Sequence, residues 1–384
     1  MSIQKKKYFS KKQNKEVIKY FAVVYDKEAQ KSIWSDGFAK ESDAKIYEGQ
    51  ILQSLKKGKH IGNNGNIYFE TVKGLWLEEA KKEYANSTYQ TYLWYTEKYL
   101  CPVFSRKILK KLTPAVIQKF VDGFTLKYSA ETANKCLNIL SDIFKYALSK
   151  EMVYSNPVLE VKRKKVKLKD IHTWRESNIR QFLADEKVQT SRYYEMLLLS
   201  FSTGLRPSEI CGLSEEMLKG NILYIERGYD QYNAVTNLKN QRSHRRLALP
   251  DELVQILRKR IERQKIESRR EGYQQNDFLF KQANGAPINP HNYSKRFKSL
   301  LRQYNNKHAK QLPDVTLYEA TRHSFGTNMT VYHKQPASIV SSLMGNSERV
   351  LQSRYVHPDD DIKAVTLLEY GQKILLSKKT LNKT

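Results

Sequence analysis

Leu317-Tyr318-Glu319-Ala320-Thr321-Arg322-His323-Ser324-Phe325-Gly326-Thr327, then Leu343-Met344-Gly345-Asn346, then Arg354-Tyr355-Val356-His357, decide the architecture of this chain. They place an arginine beside a histidine and, further on, a tyrosine in polar company. Far upstream, Thr203-Gly204-Leu205-Arg206-Pro207-Ser208-Glu209 supplies a second arginine with a glutamate one helical turn later. A phosphodiester repels nucleophiles because its oxygens are anionic. Arginine stays charged and offers those oxygens a rigid fork of donors. Two such forks, a lysine and a phenol are what a protein needs to attack a phosphodiester without a metal.

The composition agrees with a polyanionic partner. Lys plus Arg is 67 against 40 for Asp plus Glu, a net charge of +27 over 384 residues. Nucleic acid is the first partner such an excess favours and an anionic membrane the second. No apolar run reaches the ~18–20 residues of a membrane span, and the lysine-rich start lacks the apolar core of a signal peptide. Cys101, Cys136 and Cys211 lie far apart in apolar-periodic stretches, so they read as reduced core residues of a cytoplasmic protein. No cysteine–histidine cluster has zinc-ligand spacing, and neither metal nor cofactor is expected.

The chain then divides by pattern. Residues 1–65 read as a small module with a linker. Tyr20–Tyr25 and Lys31–Phe38 have strand composition, and a helix follows with Ser42 at its N-cap. A sheet this basic suits DNA, and the glycine–asparagine run before Ile67 marks its linker. Residues 66–160 read as all helix. Thr113-Pro114 is a cap with proline at the first helical position. Cys136, Leu137, Leu140, Ile143, Phe144 and Ala147 form a core stripe at helical spacing. Tyr89, Tyr92, Tyr95 and Tyr99 read mostly as core, and Asn156-Pro157 ends the unit. Residues 161–173 are a basic strap able to track phosphates. Residues 174–384 form the largest domain. Asn221–Glu226, Ala234–Lys239 and Arg245–Leu249 read as three short antiparallel strands, with Asn240–His244 as the tip of the last hairpin and Lys239 at its base. Ile362–Leu376 reads as a terminal helix with Val365, Leu368 and Leu376 on one face.

The boxes around Arg206, Lys239, Arg322, Leu343–Asn346 and Tyr355, in this order, resemble those of the tyrosine recombinase, or phage integrase, family. The resemblance covers the whole last domain. The helical domain resembles the family's core-binding (SAM-like) domain, and residues 1–65 the arm-binding module of lambda-type and conjugative-transposon integrases. The fold expected is multidomain α+β: a sheet-plus-helix module, an all-α domain, and a mostly α catalytic domain with a small antiparallel sheet.

The resemblance implies a site-specific recombinase that integrates and excises a mobile element such as a prophage. Tyr355 is the expected nucleophile, forming a 3′-phosphotyrosyl link. Its ordinary pKa near 10 leaves about one phenol in a thousand ionised at neutral pH, a handicap of roughly 4 kcal/mol that the site must remove. Arg206 and Arg322 clamp the phosphate, and Lys239 protonates the leaving 5′-oxygen. Glu209 and His323 stand behind these groups. Two positions depart from the family pattern. Glu319 stands where histidine or lysine is usual, either as base or orienter or simply paired with Arg322 or Arg206. Asn346 replaces histidine or tryptophan but still has an N–H to donate. The implied partners are duplex DNA at core and arm sites and three further copies in a tetramer, with room for an excisionase or a host DNA-bending protein. The rivals are a Xer-like resolvase of the same chemistry and a non-catalytic DNA-binding protein on the same fold.

Overall fold

The computed structural model describes residues 2–10, 15–26, 31–35, 37–56, 67–166, 171–238, 241–273, 276–355 and 367–368. The linker 57–66, Lys239, Asn240, His357 and all but two residues of the Ile362–Leu376 segment lie outside the described residues. The chain divides into two compact units, Met1–Leu168 and Lys169–Thr384.

In the first unit the lysine-rich start is itself a strand, which sequence patterning missed. β1 (Ser2–Ser10) pairs antiparallel with β2 (Lys15–Asp26), and β2 pairs on its other edge with β3 (Lys31–Trp34). Cross-strand pairing supplies what the poor strand propensity of lysine does not. Ala22, Val24 and Ile33 point to one face, where they are buried with Ile51 of the helix Glu41–Lys56. The register sets Lys6, Tyr8, Lys19, Phe21 and Trp34 on the opposite face. There the Lys6 ammonium lies 4.5 Å from the centre of the Trp34 ring. Ser42 sits inside the first helical turn and hydrogen-bonds Asp43, so it is not the cap expected of it. Tyr154 of the helical part packs against this small core and meets Tyr47 edge-on at 5.4 Å.

The helical part has its own core. Helices Phe69–Glu83, Asn86–Tyr95, Pro114–Phe124 and Ala130–Ser149 bury one continuous apolar cluster. The Thr113 hydroxyl accepts from the Val116 N–H, as the cap reading required, and the stripe from Cys136 to Ala147 is buried. Tyr99 is buried and Tyr89, Tyr92 and Tyr95 are partly so, while Trp94 stands 48% exposed under the Lys98 ammonium. The start of the basic strap is docked. Asn134 both donates to and accepts from the Lys164 backbone, and Arg163 donates to Asn138.

In the second unit the strands pair differently from the hairpin expected. β4 (Leu218–Lys219), β5 (Ile222–Ile225) and β8 (Arg245–Ala248) form one sheet; β6 (Arg227–Tyr229) and β7 (Val235–Asn237) form a separate hairpin. Residues 241–243 are a 3₁₀ turn, not a hairpin tip. Helices Tyr194–Thr203, Asp251–Glu271 and Pro290–Lys307 enclose the main core with this sheet, around Trp174, Phe182, Tyr293 and Phe297. Among the described residues no helix is long and apolar enough to cross a membrane.

Candidate active site

Gly204 ends the helix Tyr194–Thr203 in the left-handed conformation, φ 63°, its N–H reaching the Ser200 carbonyl. Any side chain there meets the Phe325 ring at 2.5 Å. Two residues on, Arg206 precedes Pro207, the first residue of the helix Pro207–Gly212. The Glu209 carboxylate takes the Arg206 backbone N–H at 2.9 Å and its Nη1 at 2.6 Å. The backbone and side chain of Arg206 are thus held by one acid.

Thr316 and Glu319 open the next helical run. The Thr316 N–H donates to Glu319 Oε2 and the Glu319 N–H to Thr316 Oγ1, a capping box written T-x-x-E in the sequence. The run passes through Glu319–His323, Ser324–Thr327 and Asn328–Tyr332, with π-type turns at both ends. Such turns gather at functional sites. Arg322, 0% exposed, donates through Nη1 to the Gly204 carbonyl at 2.8 Å and through Nη2 to the Met344 carbonyl at 2.7 Å. His323 lies edge-on to Tyr318 at 5.0 Å.

The helix Ala337–Met344 brings these parts together. The last carbonyls of a helix have no partner within it and form its negative end. Here three consecutive ones each receive a different arginine. Leu343 O accepts from Arg245 Nε at 2.6 Å, Met344 O from Arg322, and Gly345 O from Arg206 Nη2 at 3.1 Å. A Cβ on Gly345 falls 2.8 Å from Arg245 Nη1, so the bare backbone is what admits that guanidinium. Asn346 follows. Its Oδ1 accepts from Arg206 Nη2 at 2.7 Å, and since a guanidinium only donates, its amide nitrogen points the other way. That nitrogen is buried and has no acceptor among the described residues.

Glu209, 1% exposed, is the acid within the cluster. Arg245 grips it with Nη2 at 2.9 Å and Nη1 at 3.3 Å. Burial pushes its carboxyl up, but the hydrogen bond and charge of Arg245 and the charge of Arg206 outweigh burial and hold it below the ordinary carboxylate value. Two guanidiniums on this carboxylate, with that of Arg322 on the neighbouring carbonyl, leave a surplus of positive charge, the setting an anion needs.

Of the residues singled out from sequence, the structure gathers Arg206, Glu209, Arg322 and Asn346. Glu319 pairs with neither arginine among the described residues; its side chain is engaged in the capping box, and its carbonyl accepts from the Ser324 hydroxyl. Tyr355 closes the helix Glu348–Tyr355, which packs on Ala337–Met344, but its side chain and Lys239 lie outside the described residues. Sequence reasoning missed Arg245. The alternation of β8 contains the signal, since Arg245 and Leu247 face inward and Arg246 and Ala248 outward.

Among the described residues, one acidic group elsewhere has ligand-like spacing: Glu70, Glu97 and Cys101. The Lys73 ammonium already sits there, 2.6 and 2.7 Å from the two carboxylates, and burial pushes the Cys101 thiol up to about 11. The place of a cation is taken by this protein's own lysine.

The mostly helical domain that carries these arginines has known counterparts. Residues 173–361 match the phage integrase family and residues 69–164 its central domain. The chain belongs to the phage integrase family. A tyrosine recombinase described as XerC-like, from Caldanaerobacter subterraneus subsp. tengcongensis, is 25% identical over 269 residues, 62% of this chain and 66% of that relative's length. The Tn1549 transposon integrase in complex with circular intermediate DNA superposes with a TM-score of 0.61 at 18% identity, over 78% of this chain and 99% of that one. A lambda integrase tetramer bound to a Holliday junction superposes at 0.59 and 13% identity, over 92% of this chain and 96% of that one. At these identities both superpositions speak for fold.

Proposed function

We propose that this chain is a site-specific DNA recombinase that cleaves and rejoins duplex DNA through Tyr355, serving the integration and excision of a mobile element. The observation that carries the proposal is the row of carbonyls at Leu343, Met344 and Gly345, which hold Arg245, Arg322 and Arg206 beside the amide of Asn346, unpaired among the described residues. Arg206, whose side chain is 28% exposed, is the fork nearest to an entering phosphate. Arg322 backs it and meets the phosphate only once its surroundings open, because it is 0% exposed here. Asn346 donates its free N–H to a non-bridging oxygen, the part that histidine or tryptophan plays in the family pattern. The Tyr355 oxygen bonds to phosphorus and its proton passes to water. The bond to the 5′-oxygen breaks, and Lys239 protonates that oxygen. The 5′-hydroxyl of a second strand reverses the step, so bond energy is conserved. Glu319 holds the helical run that carries Arg322.

The sheet face with Lys6, Tyr8, Lys19, Phe21 and Trp34 suits a second, arm-type duplex contact. A module of this kind favours an element integrase over the resolvase reading, although the XerC-like relative is compatible with the chemistry of both. Assembly as a tetramer on two duplexes accords with the fold likeness to lambda integrase. The test is a nicked duplex carrying the end sequence of the encoding element. The wild type accumulates a covalent protein–DNA adduct and Tyr355→Phe does not. An adduct in the Phe variant at the wild-type level removes Tyr355 as nucleophile, and no adduct in either leaves the non-catalytic DNA-binding reading.

A further inference from the structure

We infer that Arg245 is a positioning residue for strand cleavage, setting Arg206 and Asn346 in register by tying Glu209 to the end of the helix Ala337–Met344. The inference rests on the recombinase reading above. Arg245 opens β8, opposite Ile225, and its side chain is 7% exposed. All three of its nitrogens are engaged. Nε donates to Leu343 O, Nη1 to Ser243 O at 2.9 Å and to Glu209 Oε1, and Nη2 to Glu209 Oε2. Ser243 lies in the turn that follows Lys239, Glu209 holds Arg206, and Leu343 stands three residues before Asn346. One planar side chain therefore joins the turn Gln241–Ser243 to both elements that face the phosphate. Lysine has a point charge and no fork, and could satisfy at most part of this geometry.

Arg245 is too enclosed to touch DNA itself, so its effect must pass through the groups it holds, Glu209 and the Leu343 carbonyl. The charged groups facing Glu209 are Arg206, at the head of its own helix, and Arg245, from β8. Without Arg245, burial has less to oppose it and the Glu209 carboxyl moves upward. Once protonated, Glu209 no longer holds Arg206 as a charged partner. Cleavage by an Arg245 variant then falls with acid at a higher pH than cleavage by the wild type does.

The experiment uses the full chain and the nicked duplex, with single-turnover cleavage from pH 5.5 to 8, duplex affinity and thermal unfolding measured in parallel. Arg245→Met should slow cleavage by about 100-fold, the scale of an ångström-level misplacement, with affinity within about 2-fold because phosphate contacts elsewhere carry it. Arg245→Lys should recover roughly a tenth of the wild-type rate through the charge it retains. Glu209→Gln combined with Arg245→Met should cost little more than Glu209→Gln alone, because both act on one link. Rates within about 3-fold of wild type for Arg245→Met, or effects that multiply in the double variant, overturn the inference. A fall in unfolding temperature and active fraction with an unchanged pH profile assigns Arg245 to scaffolding alone and also overturns it. If Arg245→Met fails to fold, the cleavage rate of Arg245→Lys decides, and a rate within about 3-fold of wild type overturns the inference. Absence of an adduct with the wild type defeats the recombinase reading instead, so the two failures are distinct.

Discussion

Substituting Gly204 by alanine tests how the Arg322 side chain is held, and Gly220 provides the reference. Both glycines have nearly the same backbone, φ 63° and 61°, but a Cβ at Gly220 meets nothing within 4 Å. Gly220→Ala therefore isolates the left-handed conformation, about 1 kcal/mol. At Gly204 the added carbon lies 2.5, 2.7 and 3.0 Å from Phe325 Cδ1, Cγ and Cβ. Ordinary carbon contact begins near 3.5 Å, so the deficit is about 1 Å. The atoms met are at the root of the ring and cannot swing aside; the helical run must shift, at about 1–3 kcal/mol more. For a unit of this size the total of about 3 kcal/mol is a fall of roughly 6–12 °C in unfolding temperature, against about 2–4 °C for Gly220→Ala. The Gly204 carbonyl that receives Arg322 moves with it, so cleavage of the nicked duplex should fall by about 100-fold. The assay is thermal unfolding of the two full-length variants beside single-turnover cleavage. Unfolding temperatures within about 2 °C of each other, with cleavage intact in Gly204→Ala, would refute the argument.

Glu209→Gln leaves Arg245 buried without its charge partner and should cost about 3 kcal/mol. Because the Glu209 carboxyl is held below its ordinary value in the folded chain, its contribution is complete above about pH 4.3 and is lost as pH falls through the depressed value. The gap in unfolding temperature between wild type and variant should thus stay constant from pH 8 to 6 and close only in stronger acid. A gap that already closes near pH 6 contradicts this. Glu319→Gln retains an oxygen for the Thr316 N–H, so stability and cleavage should both stay within about 2-fold of wild type, the modest scale of a cap adjustment. A large loss of cleavage at unchanged stability would make Glu319 the base after all.

Much of the helical architecture was legible because local rules determine it. Thr113-Pro114 starts a helix by a hydroxyl cap and a preset φ, and the stripe from Cys136 to Ala147 faces a core at the helical period. The T-x-x-E box at Thr316 is equally local, but the same glutamate also suits a base or an ion-pair partner, and spacing alone does not choose among the three. β1 was hidden because its lysines resemble a solvated tail until β2 pairs with them. The strands after Asn221 were found, but not their partners: β8 bypasses β7 and pairs with β5. Proximity in sequence favours a hairpin there, and the packing of the core face overrides it.

The same division holds at the site. Arg206, Glu209, Arg322, Asn346 and Tyr355 were legible as candidates from residue type and order in the sequence alone, because phosphate chemistry accepts few side chains. Only the tertiary structure decided that Arg206, Arg245 and Arg322 share one helix end, that Glu209 is buried between two of them, and that Glu319 is spent on a cap. The reason is physical: a carbonyl left without a partner at a helix terminus has no mark in the sequence. Which guanidinium finds it depends on elements more than a hundred residues apart in the chain coming together, as Arg206 and Gly345 do.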